Sequence, residues 1–73
     1  MADIYAIEID TRDKPGGCIM RHAMFDSYDA AKRAWQKMQP DEDPDVQFWL
    51  VKIRNGVDDP AHIDALEFKC REP

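Results

Sequence analysis

Residues 39–53, QPDEDPDVQFWLVKI, place an acidic segment directly before the most apolar run of the chain. The second half of this stretch alternates with the period of two that is typical of a β-strand. Two apolar sets share this strand, with Val46, Phe48 and Leu50 on one face and Trp49, Val51 and Ile53 on the other. A strand that is apolar on both faces is typical of the centre of a sheet, where both faces are covered.

The segments before this central strand predict two more strands and a helix. Residues 4–9 and 18–25 alternate as strands, and Pro15-Gly16-Gly17 between them predicts a turn. In residues 27–39, apolar side chains recur every three or four positions, which is the spacing of one helical face. Asp26 or Ser27 can cap the start of this helix.

The segment after the central strand predicts a turn and a last strand. Asn55-Gly56 is a common tight-turn signal, and Asp59 followed by Pro60 favours one short helical turn. The final residues then alternate as a strand. Its apolar set, expected to face the core, is Leu66, Phe68 and Cys70, and its outward set is Glu67, Lys69 and Arg71.

Together these elements predict an α+β fold with a single domain, 1–73. The expected architecture is a two-layer sandwich: an antiparallel four-stranded sheet, in ββαββ order, with one helix packed on one face. We expect Trp49, Val51 and Ile53 to meet the helix. The other apolar set, Val46, Phe48 and Leu50, would then form a patch on the uncovered face, which loops, a second copy or a partner could cover.

Net charge and composition disfavour several classes of function. The net charge of −5 disfavours direct binding of nucleic acid, which depends on clustered Lys and Arg. No apolar run approaches the ~20 residues that span a bilayer, so we expect no membrane association. The acidic start MADIYAIEID differs from the basic start of a signal peptide, which predicts a cytoplasmic protein.

The residues that could carry metal or catalytic chemistry do not form a known pattern. Asp41, Asp43 and Asp45 match the opening of an EF-hand loop, but Val46 stands where that loop needs Gly and Lys52 where it needs Glu. The Cys and His spacings do not match structural zinc sites, and no nucleophile or phosphate-loop motif occurs. We therefore expect no metal, no cofactor and no enzymatic activity.

The two cysteines, Cys18 and Cys70, lie far apart in the sequence. In a reducing cytosol both would be free thiols. A disulfide between them requires that their strands be neighbours, and the sequence leaves this open.

Charge is divided unevenly along the chain. Residues 11–37 hold six bases and three acids, whereas residues 38–67 hold eight acids and two bases. The acids cluster before and after the central strand, so we expect two acidic poles, ~25–30 Å apart if that strand has nine residues. The candidate partner-binding residues are Asp41, Glu42, Asp43, Asp45, Asp58 and Asp59.

Residues 25–35, FDSYDAAKRAW, resemble the junction of strand and helix in many short phage α+β proteins. In size, acidity and layout the whole chain resembles anti-CRISPR proteins that inhibit type I effector complexes. That resemblance implies a phage-encoded inhibitor, without enzymatic activity, that binds a Cas subunit on a Lys/Arg surface made for target DNA. It supplies no residue of its own, because no motif is shared.

The sequence therefore favours a non-enzymatic acidic binding module. Its carboxylates would occlude a basic, nucleic-acid-binding surface of a partner protein, in the host cell cytoplasm if the chain is phage-encoded. The alternative is a small structural or regulatory homodimer, built on the patch of Val46, Phe48 and Leu50 and unconnected to nucleic acid.

Overall fold

A computed structural model describes residues 2–71 of the chain. Within these residues the elements follow in the order β1 (Ile4–Asp10), β2 (Ile19–Phe25), α1 (Tyr28–Lys37), β3 (Gln47–Ile53) and β4 (Ile63–Cys70). The strands form an antiparallel sheet in the order β2-β1-β3-β4. The prediction of a small α+β fold, with a four-stranded antiparallel sheet and one helix, is confirmed. None of the helices in this range has the length and apolar character needed to cross a membrane.

Helix α1 begins and ends where hydrogen-bond donors and acceptors are available. The Ser27 hydroxyl accepts a hydrogen bond from the Ala30 amide at 3.2 Å, which confirms Ser27 as the N-cap. At the other end, the Lys69 ammonium of β4 donates to the carbonyl oxygens of Trp35 at 2.7 Å and Met38 at 3.1 Å. The helix is thus fixed to the sheet at its C-terminus as well as by its buried face.

The helix covers the face of the sheet opposite to the one predicted. The register places Ile7 beside Leu50 and Ala6 beside Val51, so these two pairs lie on opposite faces. The core under the helix consists of Ile7, Ala31, Trp35, Val46, Phe48 and Leu50. The smaller cluster on the other face consists of Ala6, Val51 and Ile53, with Ile4, Trp49 and Ile63 packed against it.

The predicted exposed patch is therefore wrong. Val46, Phe48 and Leu50 are 9%, 7% and 0% exposed, because the helix packs on them. They cannot serve as a dimer or partner face while the chain is folded. The strand is apolar on both sides, so its own sequence does not determine which side the helix takes.

Strand β4 is also turned over relative to the prediction. Phe68, expected to face in, is 48% exposed, whereas Glu67 pairs with Lys32 of the helix. The cause is the turned face of β3: Glu67 pairs with Leu50 and Phe68 with Trp49, so each set of β4 side chains lies on the face of its β3 partners. A β-bulge with Leu66 as the extra residue lies before this stretch and shifts the alternation only between residues 63–65 and 67–70.

The turns follow the sequence closely. Asn55 and Gly56 both have positive φ, 56° and 68°, as the Asn-Gly signal predicts. Asp59 accepts a hydrogen bond from the Ala61 amide at 2.9 Å and so caps the short 3₁₀ turn Pro60–His62. Gly17 is required where it stands, since a Cβ there would lie 1.7 Å from the Thr11 carbonyl oxygen.

The topology answers the question of the cysteines. Cys18 directly precedes β2 and Cys70 ends β4, and these strands form opposite edges of the sheet. Three strand spacings separate them by ~14 Å, whereas a disulfide needs Cα atoms within about 4.4–6.8 Å. Both thiols are free.

Candidate functional site

The acidic loop of residues 41–45 leads into β3 and is shaped by two of its own carboxylates. Asp41 accepts a hydrogen bond from the Asp43 amide, and Asp43 accepts one from the Asp45 amide, each at 2.9 Å. These are Asx turns, in which a side-chain oxygen replaces a backbone acceptor. Asp41 and Asp43 therefore hold the loop in shape.

Lys14, from the turn after β1, reaches the same loop and pairs with Asp43. A hydrogen bond from Lys14 is the main cause that lowers the pKa of Asp43, and the Asp45 amide adds to it. The same hydrogen bond raises the pKa of Lys14. One of the four acids in the loop is thus neutralised inside the chain.

Glu42 and Asp45 behave differently from their neighbours in the loop. Both are exposed, and no Lys or Arg within residues 2–71 forms an ion pair with either of them. Neither side chain accepts a hydrogen bond that holds the loop. They are the carboxylates of this loop that a partner can bind without first breaking an internal contact.

The second acidic segment, residues 57–62, lies beyond the other end of β3. Its Asp58 pairs with Arg21 of β2 at 3.1 Å, and Arg21 also pairs with Glu8 at 3.1 Å. The hydrogen bond with Asp58 is the main cause that raises the pKa of Arg21. Asp58 thereby ties this segment to the far edge of the sheet, and Asp59 serves as the cap described above.

The two acidic segments stand at opposite ends of β3, as the prediction of two acidic poles requires. The strand has seven residues instead of the nine assumed, so its length is only ~20 Å. The six candidate acids are therefore not brought together in one site. Of the six, Asp41, Glu42, Asp45 and Asp59 have no ion-pair partner within the described range.

The sheet face opposite the helix, called here the open face, is the other surface of interest. Three large apolar residues on it are well exposed: Ile19, Met24 and Phe68, at 42%, 54% and 48%. Phe68 packs against Trp49, with ring centroids 4.8 Å apart. Beside them lies a shallow cavity of about 210 Å³, lined by Glu8, Arg12, Ile19, Trp49, Val51, Ile63 and Ala65.

A buried carboxylate holds the Trp49 wall of this cavity in place. Asp10 is 3% exposed and accepts a hydrogen bond from the Trp49 indole at 3.2 Å. Arg12 donates to it through its amide at 2.9 Å and its guanidinium at 3.0 and 2.8 Å. The hydrogen bonds from the Arg12 side chain are the main cause that lowers the pKa of Asp10 to about 2.

The buried carboxylate of this network does not meet the requirements of a general acid. Asp10 is ionised at neutral pH and fully hydrogen-bonded, whereas a general acid needs a raised pKa and an accessible proton. The ionisable residues lining the cavity, Glu8 and Arg12, are both engaged in ion pairs. Within residues 2–71, no three His, Cys, Asp or Glu side chains are grouped so that they could hold a metal ion.

No family model, curated protein or solved structure matches this chain.

Sequence reasoning located the acids and predicted an uncovered sheet face, but it assigned the wrong side chains to that face. The acids were visible as a charge imbalance, since a count along the chain requires no knowledge of contacts. The cavity beside Trp49 depends on the register of β3 with β4 and on the bulge at Leu66. One signal was available: Lys32, on the helix, and Glu67, on β4, have opposite charges and could have suggested which face of β4 meets the helix.

Proposed function

We propose that this chain is a non-enzymatic binding module that offers carboxylates to a basic surface of a partner protein. The observation that carries the proposal is the unequal use of charge inside the fold. Six of the ten basic residues form ion pairs within the chain, namely Arg12, Lys14, Arg21, Lys32, Lys52 and Arg54. Of the six candidate acids, Asp41, Glu42, Asp45 and Asp59 remain exposed and without an ion-pair partner in the described range, and Glu42 and Asp45 also accept no hydrogen bond there.

Arg is the partner side chain that fits these groups best. Its planar guanidinium binds a carboxylate through two parallel hydrogen bonds, which adds orientation to the charge attraction. The Asx turns at Asp41 and Asp43 hold the loop that carries Glu42 and Asp45, so less conformational entropy is lost on binding. The net charge of −5 also raises the rate of encounter with a basic surface.

The specific form of the proposal is an inhibitor. A basic protein surface that takes up carboxylates is often one that otherwise holds phosphates, and the two ends of β3 present separated negative groups, as a nucleic-acid backbone does. The resemblance to anti-CRISPR proteins gives a concrete candidate, a Cas subunit of a type I effector complex. The mechanism would be competition: the carboxylates occupy Lys and Arg side chains that target DNA needs.

The experiment measures binding of a target duplex by a purified type I effector complex, in a mobility-shift assay, as the chain is added. The wild-type chain should displace the duplex. The double variant Glu42→Gln/Asp45→Asn should need at least about tenfold more protein, because each hydrogen bond to a charged group contributes ~1.5–3 kcal/mol. Amides keep the size of both side chains, remove their charge and replace one acceptor oxygen with an NH₂ donor.

The matched control removes two charges elsewhere. Asp26→Asn/Asp29→Asn changes two exposed acids next to and within the first turn of α1, which have no ion-pair partner in the described range either. This variant should inhibit as the wild type does. Equal losses in the two double variants would show that net charge alone matters, and an unaffected duplex complex with the wild-type chain would reject the inhibitor.

A further inference from the structure

Helix α1 packs on one face of the sheet, and within residues 2–71 no helix packs on the open face. The open face exposes Ile19 and Met24 on the edge strand β2 and Phe68 on the opposite edge strand β4. Soluble monomers rarely leave a group of large apolar side chains uncovered on one face. A surface of this kind is typical of a contact with another chain.

The edges of the sheet are poorly suited to that contact. Each edge strand carries a bulge, at His22 in β2 and at Leu66 in β4, where the register with the neighbouring strand shifts by one residue. Bulges twist an edge strand and disfavour the addition of another strand. The open face is therefore a better site for association with another chain than either edge strand.

Most charges on the open face are paired within the chain. Glu8 and Asp58 share Arg21, Asp10 binds Arg12, and Asp13 accepts a hydrogen bond from Gln47. These four acids and two bases contribute −2 to the net charge of −5. A second copy can approach it with little repulsion, whereas a basic partner would find fewer unpaired acids here than at the ends of β3.

The open face also carries a projection and a cavity side by side. Phe68 projects while it contacts Trp49, and Trp49 forms a wall of the cavity of about 210 Å³. That volume is below the roughly 300 Å³ at which pockets for small molecules begin, so one apolar side chain suits it better. A projection beside a matching hollow is self-complementary, which is what a two-fold symmetric interface requires.

The open face is large enough for a small interface between two copies. Its four strands have seven or eight residues each, so at ~4.8 Å between strands and ~3.3 Å per residue the sheet covers ~400 Å². Two such faces bury ~800 Å², which is at the low end for specific association and suits a weak, concentration-dependent dimer.

We propose that two copies of the chain associate through their open faces, with Phe68 of each copy seated in the cavity beside Trp49 of the other. The helices then lie on the outside of a four-layer assembly. The acidic segments 41–45 and 57–62 stay at the ends of the strands. This inference goes beyond the binding function proposed above, because it concerns a different surface and a different partner.

The test is sedimentation equilibrium over a range of protein concentrations. The wild-type chain should approach twice the 8.5 kDa of one copy. Phe68→Glu should weaken association at least about thirtyfold, which is the size of an interface hot spot. Met20→Glu is the matched control: Met20 is 59% exposed but lies on the helix side of the sheet, opposite Ile9, and this variant should dimerise normally.

A second variant tests the same interface independently, in case Phe68→Glu does not fold. Ala65→Lys leaves Phe68 intact and places a charge at the cavity, on an exposed position of an edge strand; it should also give monomers. Circular dichroism checks that both variants fold. A wild-type chain that stays monomeric at every concentration, or variants that dimerise as the wild type does, would overturn the proposal. The proposal would also be overturned if the wild-type chain were a monomer and Phe68→Glu abolished its binding to a different protein.

Discussion

The Lys69 ammonium lies 2.7 Å from the Trp35 carbonyl oxygen and 4.3 Å from the centre of the Trp35 ring. One cation thus serves two purposes on the same residue: it caps the C-terminus of the helix and contacts the electron-rich ring face. The residue also joins the edge strand β4 to the helix, which otherwise contacts mainly β1, β2 and β3.

Replacement of Lys69 by Met should therefore destabilise the fold. The methionine keeps the apolar stem but removes the donor to Trp35 and Met38, so we expect a loss of ~1–2 kcal/mol in the free energy of unfolding. Urea denaturation followed by tryptophan fluorescence measures it. The control is Lys37→Met, since Lys37 is exposed in the last helical turn and should change stability by less than ~0.5 kcal/mol. Equal effects would show that the cap contributes nothing.

Asp10 should make the stability of the fold depend on pH. Its pKa is about 2 in the folded chain against an ordinary 3.8, chiefly because of the hydrogen bonds from Arg12. A lowered pKa stabilises the folded state above pH 3.8, and this contribution is lost as the pH falls from there through about 2. Asp10→Asn should lose ~1–3 kcal/mol at neutral pH and should show a smaller further loss on acidification.

Urea midpoints measured at several pH values between 7 and 2 compare the two proteins. Asp26→Asn is the control, because Asp26 is exposed and lies outside this network of contacts. Its curve should follow that of the wild type. If the Asp10→Asn curve ran parallel to the wild-type curve over the whole range, the hydrogen bonds to Asp10 would not contribute as described.

A pair of leucines tests which side chains form the core. Leu50 is 0% exposed beneath the helix, whereas Leu66 is 40% exposed at the bulge. Leu50→Ala should cost ~2–5 kcal/mol, because it removes buried surface and leaves a cavity, and Leu66→Ala should cost less than ~1 kcal/mol. Thermal or urea unfolding of both variants measures the two losses of stability. A larger loss for Leu66→Ala would restore simple alternation along β4 and contradict the bulge.

These contrasts show what sequence reasoning could and could not predict. The helix, its Ser27 cap and the Asn55-Gly56 turn are local features, set by residues within a few positions of one another, and they were predicted correctly. The face of β3 under the helix is not local, because β3 is apolar on both sides. Its choice depends on the register with β1, which places Leu50 beside Ile7.

The same distinction between local and long-range features applies to the candidate site. Acidic residues are visible in any sequence, but their use in the fold is not: Asp43 binds Lys14 and Asp58 binds Arg21 across long sequence separations. Those two ion pairs leave Asp41, Glu42, Asp45 and Asp59 as the candidate acids without an ion-pair partner in the described range, and Asp41 and Asp59 still accept hydrogen bonds from backbone amides. Phe68 lies on the open face because it pairs with Trp49, and no count along the chain reveals that long-range pairing.

Binding through the acidic loop is tested by chemical-shift mapping of the ¹⁵N-labelled chain with an arginine-rich peptide at ~0.15 M salt, where distant charges are screened. We expect the largest amide shifts at the non-proline residues of 41–45 and at Asp59, and small ones at Asp26 and Asp29. Their loss in Glu42→Gln/Asp45→Asn should accompany at least about tenfold weaker binding. Shifts centred on Phe68 and Trp49, or no difference between these acids and Asp26 or Asp29, would contradict binding through the acidic loop.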